Sequence, residues 1–460
     1  MVELLLAAAN AGAFLACAAF VVYAGMILRP YLRRKREVTG DAGDFSWHLI
    51  VPCRDEAAVI ESTISGLVSN HPRARIWCVD DASQDATPAI LARLAGEIRQ
   101  LRVVTRILPN ARLGKGPALN AAFDAIVGAL PPGVDPNKVV VGVVDADGNL
   151  DPRCLDVIAG PTQFGDPTVS AVQIKVRMLD HVAELAGSAS VRPGTRMGRL
   201  LVRMQDLEFA GPIAGTQFLR RHVGSVGMGG NGQFTRLSAL YRVSREHGRP
   251  WHGALVEDLE LGLHVLLTGG RTQYCHDTWV AQEGLPSLRR LVRQRTRWGQ
   301  GTMQCICYLW PILTSPRIST GAAIEIAYFL LQPWFQLVGG VFYAVCGGAV
   351  VYGLVQSPGG ATDWLNPTTG GLLVLFLLFS MGPLMIWGPV YRSRVDPSLT
   401  RRAALLLGVA NVFYMYVNQV ADWRALVRIV RQRRDWTKTE RNGVRNALPS
   451  STISSVARAT

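Results

Sequence analysis

The first apolar run of the chain predicts a membrane anchor. Residues 4–28 carry no charge and are mostly Ala, Leu, Val and Phe, a length that can cross a bilayer. A densely basic segment, residues 29–36, follows directly. By the positive-inside rule this segment stays in the cytosol and the N-terminus lies outside. A cleaved signal peptide is the alternative, but the run is too long and its basic flank follows it instead of preceding it.

Shorter apolar segments alternate with amphipathic ones from about residue 45 to residue 298. The pattern predicts strands at residues 48–53, 75–79, 103–108, 139–144 and 169–176, and helices at 56–69 and 115–130. Such alternation indicates an α/β fold with a mostly parallel, doubly wound sheet. No Gly-x-Gly-x-x-Gly follows the first strand, so the dinucleotide-binding fingerprint is absent. Residues 200–232 follow neither period, and the five glycines within 224–232 indicate a loop close to a ligand or a mobile loop.

The β-branched run at residues 139–144 ends in two carboxylates, Asp145 and Asp147. A strand buried on both faces of a parallel sheet has this pattern, and open α/β sheets bind their ligands at the carboxyl ends of such strands. Two carboxylates there can hold a hard divalent cation, which completes its shell with substrate phosphates. A solvated acidic turn is the alternative interpretation of this stretch alone.

The apolar pattern returns after residue 299. Residues 303–313 are short and contain Tyr308 and Trp310, which suits the membrane interface. Residues 321–355, 370–391 and 403–420 follow, and Pro333 and Gly339-Gly340 interrupt the first of them. We expect that first stretch to fold as a hairpin, giving four crossings and a cytosolic basic tail. Two crossings, with residues 403–420 in the interface, are the alternative and agree better with the positive-inside rule.

Composition narrows the class of partner. The 460 residues are 49% hydrophobic, enough for one large soluble domain and membrane segments, and the formal net charge is +14. No zinc-finger or RNA-binding signature is present and the basic residues flank apolar runs, so we expect a bilayer and a phosphorylated substrate and no nucleic acid. The eight cysteines include no Cys-x-x-Cys pair, which fits a reducing cytosolic face.

Five short motifs occur in a fixed order and carry a resemblance to a known family. They are Val51-Pro52-Cys53-Arg54-Asp55-Glu56, Val79-Asp80-Asp81-Ala82-Ser83-Gln84-Asp85, Asp145-Ala146-Asp147, Glu257-Asp258 and Gln294-Arg295-Thr296-Arg297-Trp298. In this order and spacing the chain resembles the membrane-embedded family 2 glycosyltransferases, which include cellulose, chitin, hyaluronan and mannan synthase-like enzymes. The resemblance covers residues 48–300 and implies a cytosolic GT-A domain, Rossmann-like, flanked by transmembrane helices. Trp436-Thr437-Lys438-Thr439 is similar to a cytosolic Trp-x-x-Thr element of several members.

The resemblance also implies roles for individual residues. Asp258 matches the family's general base, with Glu257 in support, and Trp298 matches the acceptor-binding tryptophan. A metal, Mg²⁺ or Mn²⁺, would lie on Asp147 and Asp145. The residues expected at the nucleotide-sugar donor, a UDP- or GDP-sugar, are Glu56, Asp80, Asp81, Lys115, Asp145, Gln294 and Arg297.

Each assignment has a structural alternative. Lys115 can be an ordinary lysine at a helix start, and Glu257 and Asp258 can simply cap a helix. Trp298 can be a buried structural tryptophan, and five arginines between residues 289 and 297 can form a basic face on anionic lipid. His276 follows a strand, so it can be a late metal ligand, although we favour a surface histidine. Arg54-Asp55 stands where Tyr-Asn is common in the family.

These observations give a domain plan and a functional hypothesis. We expect an anchor and basic flank at residues 1–44, a GT-A domain at 45–300, interfacial and transmembrane helices at 301–423 and a basic cytosolic tail at 424–460. The favoured function is a processive, inverting synthase of a β-linked polysaccharide in a bacterial plasma membrane. The alternative is transfer of a single sugar to a lipid carrier or a glycolipid. A non-catalytic scaffold would show erosion of the acidic motifs, and none is eroded.

Overall fold

The computed structural model describes residues 2–179, 195–356 and 367–433. Within these ranges eight strands form one sheet, and the buried β-branched segments of the sequence supply its centre. The strands are β1 (Ser46–Cys53), β2 (Arg75–Asp81), β3 (Leu101–Arg106), β4 (Val139–Val143), β5 (Asn149–Leu150), β6 (Val169–Met178), β7 (Gln233–Arg236) and β8 (Arg271–Gln282). Their order in the sheet is β3-β2-β1-β4-β7-β6-β8-β5.

Parallel pairing dominates the half of the sheet that carries the acidic motifs. Strands β3, β2, β1 and β4 are all parallel, β7 is antiparallel to both β4 and β6, and β6 is parallel to β8. The predicted strands at 48–53, 75–79, 103–108, 139–144 and 169–176 all correspond to observed strands. Because the carboxyl ends of parallel strands meet at one edge, the segments after β1, β2 and β4 lie side by side.

Helices cover both faces of the sheet, as the predicted doubly wound fold requires. The helices are α1 (Val2–Leu32), α2 (Ile60–Asn70), α3 (Thr87–Glu97), α4 (Lys115–Ala129), α5 (Cys154–Ile158), α6 (Arg196–Glu208), α7 (Ala214–Val223), α8 (Leu237–His247), α9 (Glu257–Leu267), α10 (Leu288–Gln304), α11 (Leu309–Thr314), α12 (Thr320–Gln356), α13 (Pro367–Met385), α14 (Trp387–Arg394) and α15 (Arg401–Val430). Helices α2, α3 and α5 share one apolar core with the sheet, and α4, α8 and α9 share the other.

The region in which the sequence pattern loosens is helical for most of its length. Helix α6 continues through a π-helical turn, Phe209–Ile213, into α7. Three polar side chains on α6, those of Gln205, Asp206 and Glu208, are buried. These polar residues occupy core positions and so obscure the apolar period, which is why the helix was not predicted.

A third apolar core joins the sheet domain to the long helices. Side chains from α1, α6, α7, α10, α14 and α15 pack together there, with Tyr31, Phe218, Trp387 and Tyr391 among the largest. The edges of the Phe218 and Trp387 rings meet the Tyr31 ring at centroid distances of 6.0 and 5.8 Å. The C-terminal part of α1 is therefore built into the domain and is not a separate tether.

The predicted hairpin within residues 321–355 is wrong. Helix α12 runs without interruption through Pro333 and through Gly339-Gly340. Proline and glycine break helices less readily in long apolar helices, because neighbouring helices and small local adjustments satisfy the freed backbone groups. Gly340 lies against α15, where a Cβ atom would come within 2.1 Å of the Gln419 amide nitrogen. The end of the Gln419 side chain therefore occupies the space that a side chain at position 340 would take.

Helix α15 packs against α13 and α14 near its start and against α10 towards its end. Near its start Gly408 packs against Met385 at the end of α13, and a Cβ on Gly408 would lie 2.2 Å from the Met385 carbonyl oxygen. Near its end Arg428 donates to the Gln300 side chain on α10 over 2.8 Å. Within the described residues it is the one helix that is long and apolar enough to cross a membrane by length and composition.

Two of the expected domain boundaries fall inside helices. Residue 300 lies within α10, which continues to Gln304 and then through a 3₁₀ turn, Cys305–Tyr308, into the short helix α11. Residue 424 lies within α15. The motif Trp436-Thr437-Lys438-Thr439 lies outside the described residues.

A buried ion pair ties the sheet to α6 and α14. The guanidinium of Arg177 on β6 donates to both carboxylate oxygens of Asp206 over 3.0 and 3.1 Å. The Tyr391 hydroxyl and the Met178 backbone N–H donate to the same carboxylate over 2.7 and 2.8 Å. A buried charge that loses its partner is strongly destabilising, so this carboxylate is a single point on which three elements depend.

We therefore expect Asp206→Asn to lower the free energy of unfolding by about 3–5 kcal/mol, because Arg177 would stay buried without a counter-charge. The exposed carboxylate of Asp124, paired with Arg249 on the surface, provides the matched control. Asp124→Asn should cost about 1 kcal/mol or less. Thermal unfolding of the two purified variants, followed by tryptophan fluorescence, measures the difference. Equal melting temperatures would show that the buried pair does not hold the elements together.

Candidate active site

A single cavity of about 650 Å³ connects the acidic motifs with the long helices. One end lies at the carboxyl edge of β1, β2 and β4 and is polar. The other end is lined by side chains of α1, α12, α13, α14 and α15, most of them apolar, with the polar residues Gln332, Gln336, Asn418 and Asp422 among them. Its wall includes all but one of the residues predicted for the site: Glu56, Asp81, Lys115, Asp145, Asp147, Glu257, Asp258, Gln294, Arg297 and Trp298.

Asp145 and Asp147 lie directly beyond β4, as the sequence predicts, and both line the cavity. The Asp145 backbone N–H donates to the Asn231 side chain over 3.2 Å, and the Glu283 N–H donates to Oδ2 of Asp147 over 3.1 Å. Asp147 is 5% exposed. Loops on both sides thus fix the two carboxylates at the wall of the cavity.

The donor set suits a metal that also binds phosphate. Within the described residues no group of three His, Cys, Asp or Glu side chains is placed to hold a metal ion. Two carboxylates without a third protein ligand still fit Mg²⁺ or Mn²⁺, since such ions commonly use one or two carboxylates together with substrate phosphates and water. Asp145 and Asp147 are therefore the pair that would hold the ion when a diphosphate is present.

Lys115 lies among these acids. Its Nζ atom is 2.6 Å from Oδ1 of Asp145, 2.8 Å from the carbonyl oxygen of Gly230 and 3.8 Å from Oε1 of Glu257. Burial works against the charged form, but the neighbouring carboxylates of Asp145 and Glu257 outweigh it and keep the pKa of Lys115 raised. Lys115 is thus a charged residue that contacts several groups of the site, and not merely an ordinary lysine at the start of α4.

The loop after β2 holds the second pair of acids in different ways. Asp80 accepts from the Ser83 backbone N–H over 3.0 Å and does not line the cavity. Asp81 lines the cavity, pairs with the Arg106 guanidinium and accepts from the Arg112 N–H over 3.1 Å. Of the two carboxylates expected at the donor, Asp81 is the one at the cavity wall.

Backbone strain is concentrated beside this loop. Asp55, Ala82 and Arg112 all have positive φ, at 53°, 57° and 64°. The Asp55 side chain accepts from the Gln84 N–H over 2.7 Å, so Asp55 fastens the loop after β1 to the loop after β2. Left-handed backbone at non-glycine residues is costly and is typically found at ligand sites. Asp55 therefore has a structural role here, because it joins the two loops.

Glu257 and Asp258 occupy the first turn of α9 and face the cavity. Burial raises the pKa of Glu257 to about 7, with Lys115 opposing the rise and Asp258 adding to it. Burial also raises the pKa of Asp258, although Lys115 and the N–H groups of Leu259 and Asp258 counteract it. A helix N-terminus favours the ionised carboxylate, so the capping interpretation and a basic role are compatible.

Helix α10 brings the last motif to the same cavity. Gln294, Arg297 and Trp298 are half-buried and all three line it. The Trp298 indole is not free on all sides: the Arg295 guanidinium lies over it at 4.3 Å, and Phe209 meets it edge-on at a centroid distance of 6.2 Å. Trp298 is therefore held in one orientation while part of it stays open to the cavity.

The arginines of α10 do not form the uniform basic face that residues 289–297 could suggest. Arg295 is buried, and its Nη2 atom lies 2.6 Å from Oε2 of Glu208. The Tyr414 hydroxyl donates to the same Glu208 oxygen over 2.8 Å. Sequence reasoning missed this set because its members are far apart in the chain. The buried charged pair on Arg295 orients the helix that carries Trp298.

The expectations for His276 are wrong. The imidazole is buried and packs between Tyr31 and Phe218, at centroid distances of 5.8 and 5.3 Å. Burial, with nearby Lys175 adding to it, holds its pKa well below the ordinary histidine value. His276 is thus a neutral core residue beneath α1, neither exposed nor placed with the carboxylates of the cavity.

Comparison with known proteins agrees with this geometry. Residues 47–301, more than half of the chain, match the family model "Glycosyltransferase like family 2". A β-monoglucosyldiacylglycerol synthase from Synechocystis sp. is 28% identical over 306 residues, which cover 65% of this chain and 57% of that protein. One from Trichormus variabilis is 27% identical over 289 residues, covering 62% and 54%. The chain thus spans little more than half the length of these relatives.

A solved structure shares the fold across nearly the entire chain. The mannosyltransferase PcManGT from Pyrobaculum calidifontis, in complex with GDP-Man and Mn²⁺, superposes with a TM-score of 0.53 at 18% identity. The likeness covers 93% of this chain and 99% of that one. The mixed, mostly parallel sheet is accordingly a GT-A-like Rossmann fold, and the chain belongs to the family 2 glycosyltransferases.

Proposed function

We propose that this protein transfers a single sugar from a nucleotide-diphosphate sugar to the hydroxyl group of a membrane lipid. The observation that carries the proposal is the continuity of the cavity. It begins at the acids beyond β4 and ends among mostly apolar side chains of α1, α12 and α14, which include Phe20, Tyr23, Ile27, Phe329, Pro333 and Trp387. A sugar donor suits the polar end, and the hydrocarbon of a lipid suits the apolar end.

The relatives favour the same acceptor class. Both curated relatives carry a name that specifies a glucosylated diacylglycerol. This supports the lipid alternative over the polysaccharide synthase that the motifs first suggested, since Gln-x-x-Arg-Trp can serve either. A diacylglycerol-type lipid with one free hydroxyl is the acceptor that we propose. The donor nucleotide can be uridine or guanosine.

We also propose that α1, α12 and α13, whose sequences are more apolar on average than that of α15, cross the bilayer. Helix α15 would then lie in the cytosolic interface, although its length and composition would also allow a crossing. Both ends of α15 contact the domain side, near α14 and at α10. The Arg394 guanidinium donates to the Leu32 carbonyl oxygen at the basic end of α1 over 3.0 Å. Arg392, Arg394, Arg401 and Arg402 then lie on the cytosolic side, as the positive-inside rule requires.

The proposed chemistry is one inverting displacement. Asp258 takes the proton from the acceptor hydroxyl, whose oxygen attacks the anomeric carbon while the bond to the diphosphate breaks on the opposite face. A divalent ion on Asp145 and Asp147 would supply positive charge for the departing diphosphate. Arg297 offers two parallel donors to the same group. The Asp81 carboxylate and Glu56 line the donor end, and Trp298 lies beside the acceptor path.

The lipid acceptor is tested by product analysis and by a change at the apolar end. With labelled UDP- and GDP-sugars and diacylglycerol in vesicles, the product should be one sugar per lipid at any incubation time. Phe20→Ala should raise KM for a long-chain acceptor about 30-fold, because roughly 2 kcal/mol of apolar contact is lost. Leu15→Ala is the control, since Leu15 lies on the same helix but is 71% exposed and outside the cavity. A product that lengthens with time would refute single addition.

Metal dependence is tested at Asp147. Asp147→Asn should reduce turnover at least 100-fold, because one of two carboxylates that hold the ion loses its charge. The protein should still fold, and the exposed-carboxylate variant Asp124→Asn should retain full activity. Removal of metal by EDTA should stop the reaction, and Mg²⁺ or Mn²⁺ should restore it. Full activity in excess EDTA would remove the metal from the mechanism.

The role of Asp258 is tested by separating binding from chemistry. Asp258→Asn should lower kcat by about 10²–10⁴ while the affinity for donor stays within a few-fold, because a general base acts in the transition state. Burial raises the pKa of Asp258, so wild-type activity should fall with decreasing pH at a higher pH than for an ordinary aspartate. Calorimetry with donor and a kcat profile against pH supply the data. Loss of donor binding in this variant would assign Asp258 to the donor site instead.

A further inference from the structure

The Lys115 ammonium has the contacts of a bound cation. It touches Oδ1 of Asp145 at 2.6 Å and the carbonyl oxygen of Gly230 at 2.8 Å, with Oε1 of Glu257 at 3.8 Å. All of these are oxygen atoms, and the lysine side chain is 15% exposed. Asp145 is also one of the two carboxylates that suit a divalent ion. The lysine and such an ion would therefore bind the same carboxylate, that of Asp145.

The glycine-rich loop, residues 224–232, depends on the same contact. A Cβ atom on Gly230 would lie 3.1 Å from Nζ of Lys115 and 3.2 Å from Oδ2 of Asp258, so the backbone lies closely between the two. On either side the loop is fixed independently: Gly229 N–H donates to the Gln173 side chain over 2.8 Å, and Asn231 accepts from the Asp145 N–H over 3.2 Å. Lys115 is thus the link at the centre of the loop.

From these contacts we propose that Lys115 is an internal stand-in for the divalent cation and must leave Asp145 when the metal binds. The inference rests on the proposed metal-dependent transfer. Two cations cannot share one carboxylate oxygen at contact distance without strong repulsion in a partly buried site. Metal binding therefore has to displace the ammonium, which until then offsets part of the negative charge of the free site.

The displacement links the two halves of the reaction. Once Lys115 leaves Asp145, the nearest remaining carboxylate is that of Glu257. When the ammonium approaches Glu257, it offsets the negative charge of that carboxylate. Asp258 then remains as the unpaired carboxylate next to the acceptor path. The Gly230 carbonyl loses or changes its partner in the same movement. Metal binding at Asp145 in this way changes the surroundings of Asp258 and of the glycine-rich loop.

The decisive measurement is Mn²⁺ affinity without any nucleotide sugar, read from the electron paramagnetic resonance signal of free Mn²⁺. Lys115→Met removes the competing charge and should tighten Mn²⁺ binding at least tenfold. Lys138→Met is the matched control, since Lys138 lies over the Phe45 ring and does not line the cavity. The control should bind Mn²⁺ as the wild type does. If Lys115 only contacts the donor, Lys115→Met will also match the wild type, and the proposal is overturned.

A second variant and a second measurement test the proposal even when Lys115→Met does not fold. Lys115→Gln keeps a hydrogen-bond donor for the Gly230 carbonyl but carries no charge, and it should also bind Mn²⁺ more tightly. In the wild type, Mn²⁺ should speed amide hydrogen exchange in residues 229–231, and in Lys115→Gln it should not. Unchanged exchange in the wild type on saturation with Mn²⁺ contradicts displacement.

The outcomes also separate this inference from the proposed function. Lipid glycosylation that needs Mn²⁺, together with equal Mn²⁺ affinity in wild type and Lys115→Met, refutes the stand-in and leaves the transferase in place. Tighter Mn²⁺ binding in Lys115→Met with no transfer to lipid in the wild type supports the stand-in and refutes the proposed acceptor.

Discussion

The crowding of carboxylates at one edge of the sheet is the constraint on which the site depends. Asp145, Asp147, Glu257 and Asp258 all line one cavity, and like charges so close would repel one another. Lys115 relieves part of this repulsion, and the raised pKa of Glu257 relieves another part because that group is only partly ionised near neutral pH. The arrangement holds negative charge ready for a cation without unfolding the edge.

The same principle governs the junction between the domain and the long helices. Arg177 with Asp206, Arg295 with Glu208 and Arg220 with Glu325 are buried ion pairs at this junction. Arg220 also lies over the Phe329 ring at 4.3 Å, which joins α7 to α12. Replacing such pairs with apolar residues often stabilises a protein. Here each pair fixes the orientation of one helix that forms part of the cavity wall.

Local chemistry made much of this site predictable. Acid pairs directly after β-branched runs, such as Asp145 and Asp147, are short-range signals, and the topology of parallel strands brings them to one edge. The long-range partners were not predictable: Glu208 and Tyr414 reach Arg295 from 87 and 119 residues away. The hairpin predicted at Pro333 was wrong because proline breaks exposed helices more readily than long apolar ones. The exposure predicted for His276 was wrong because nothing in its local sequence shows that α1 covers it.

The continuity of α10 has a consequence for which lipids can react. The helix begins at the domain, carries Trp298 and ends at the short turn before α11, while α15 is packed along it. Only the 3₁₀ turn, α11 and residues 315–319 separate α10 from α12, a helix that we propose crosses the bilayer. In the proposed membrane arrangement, this short connection sets the distance from the membrane plane to Asp258. Under the proposed function, a lipid reacts when its hydroxyl lies at the height of Asp258, and a lipid whose head group carries the hydroxyl further into the water does not reach this carboxylate.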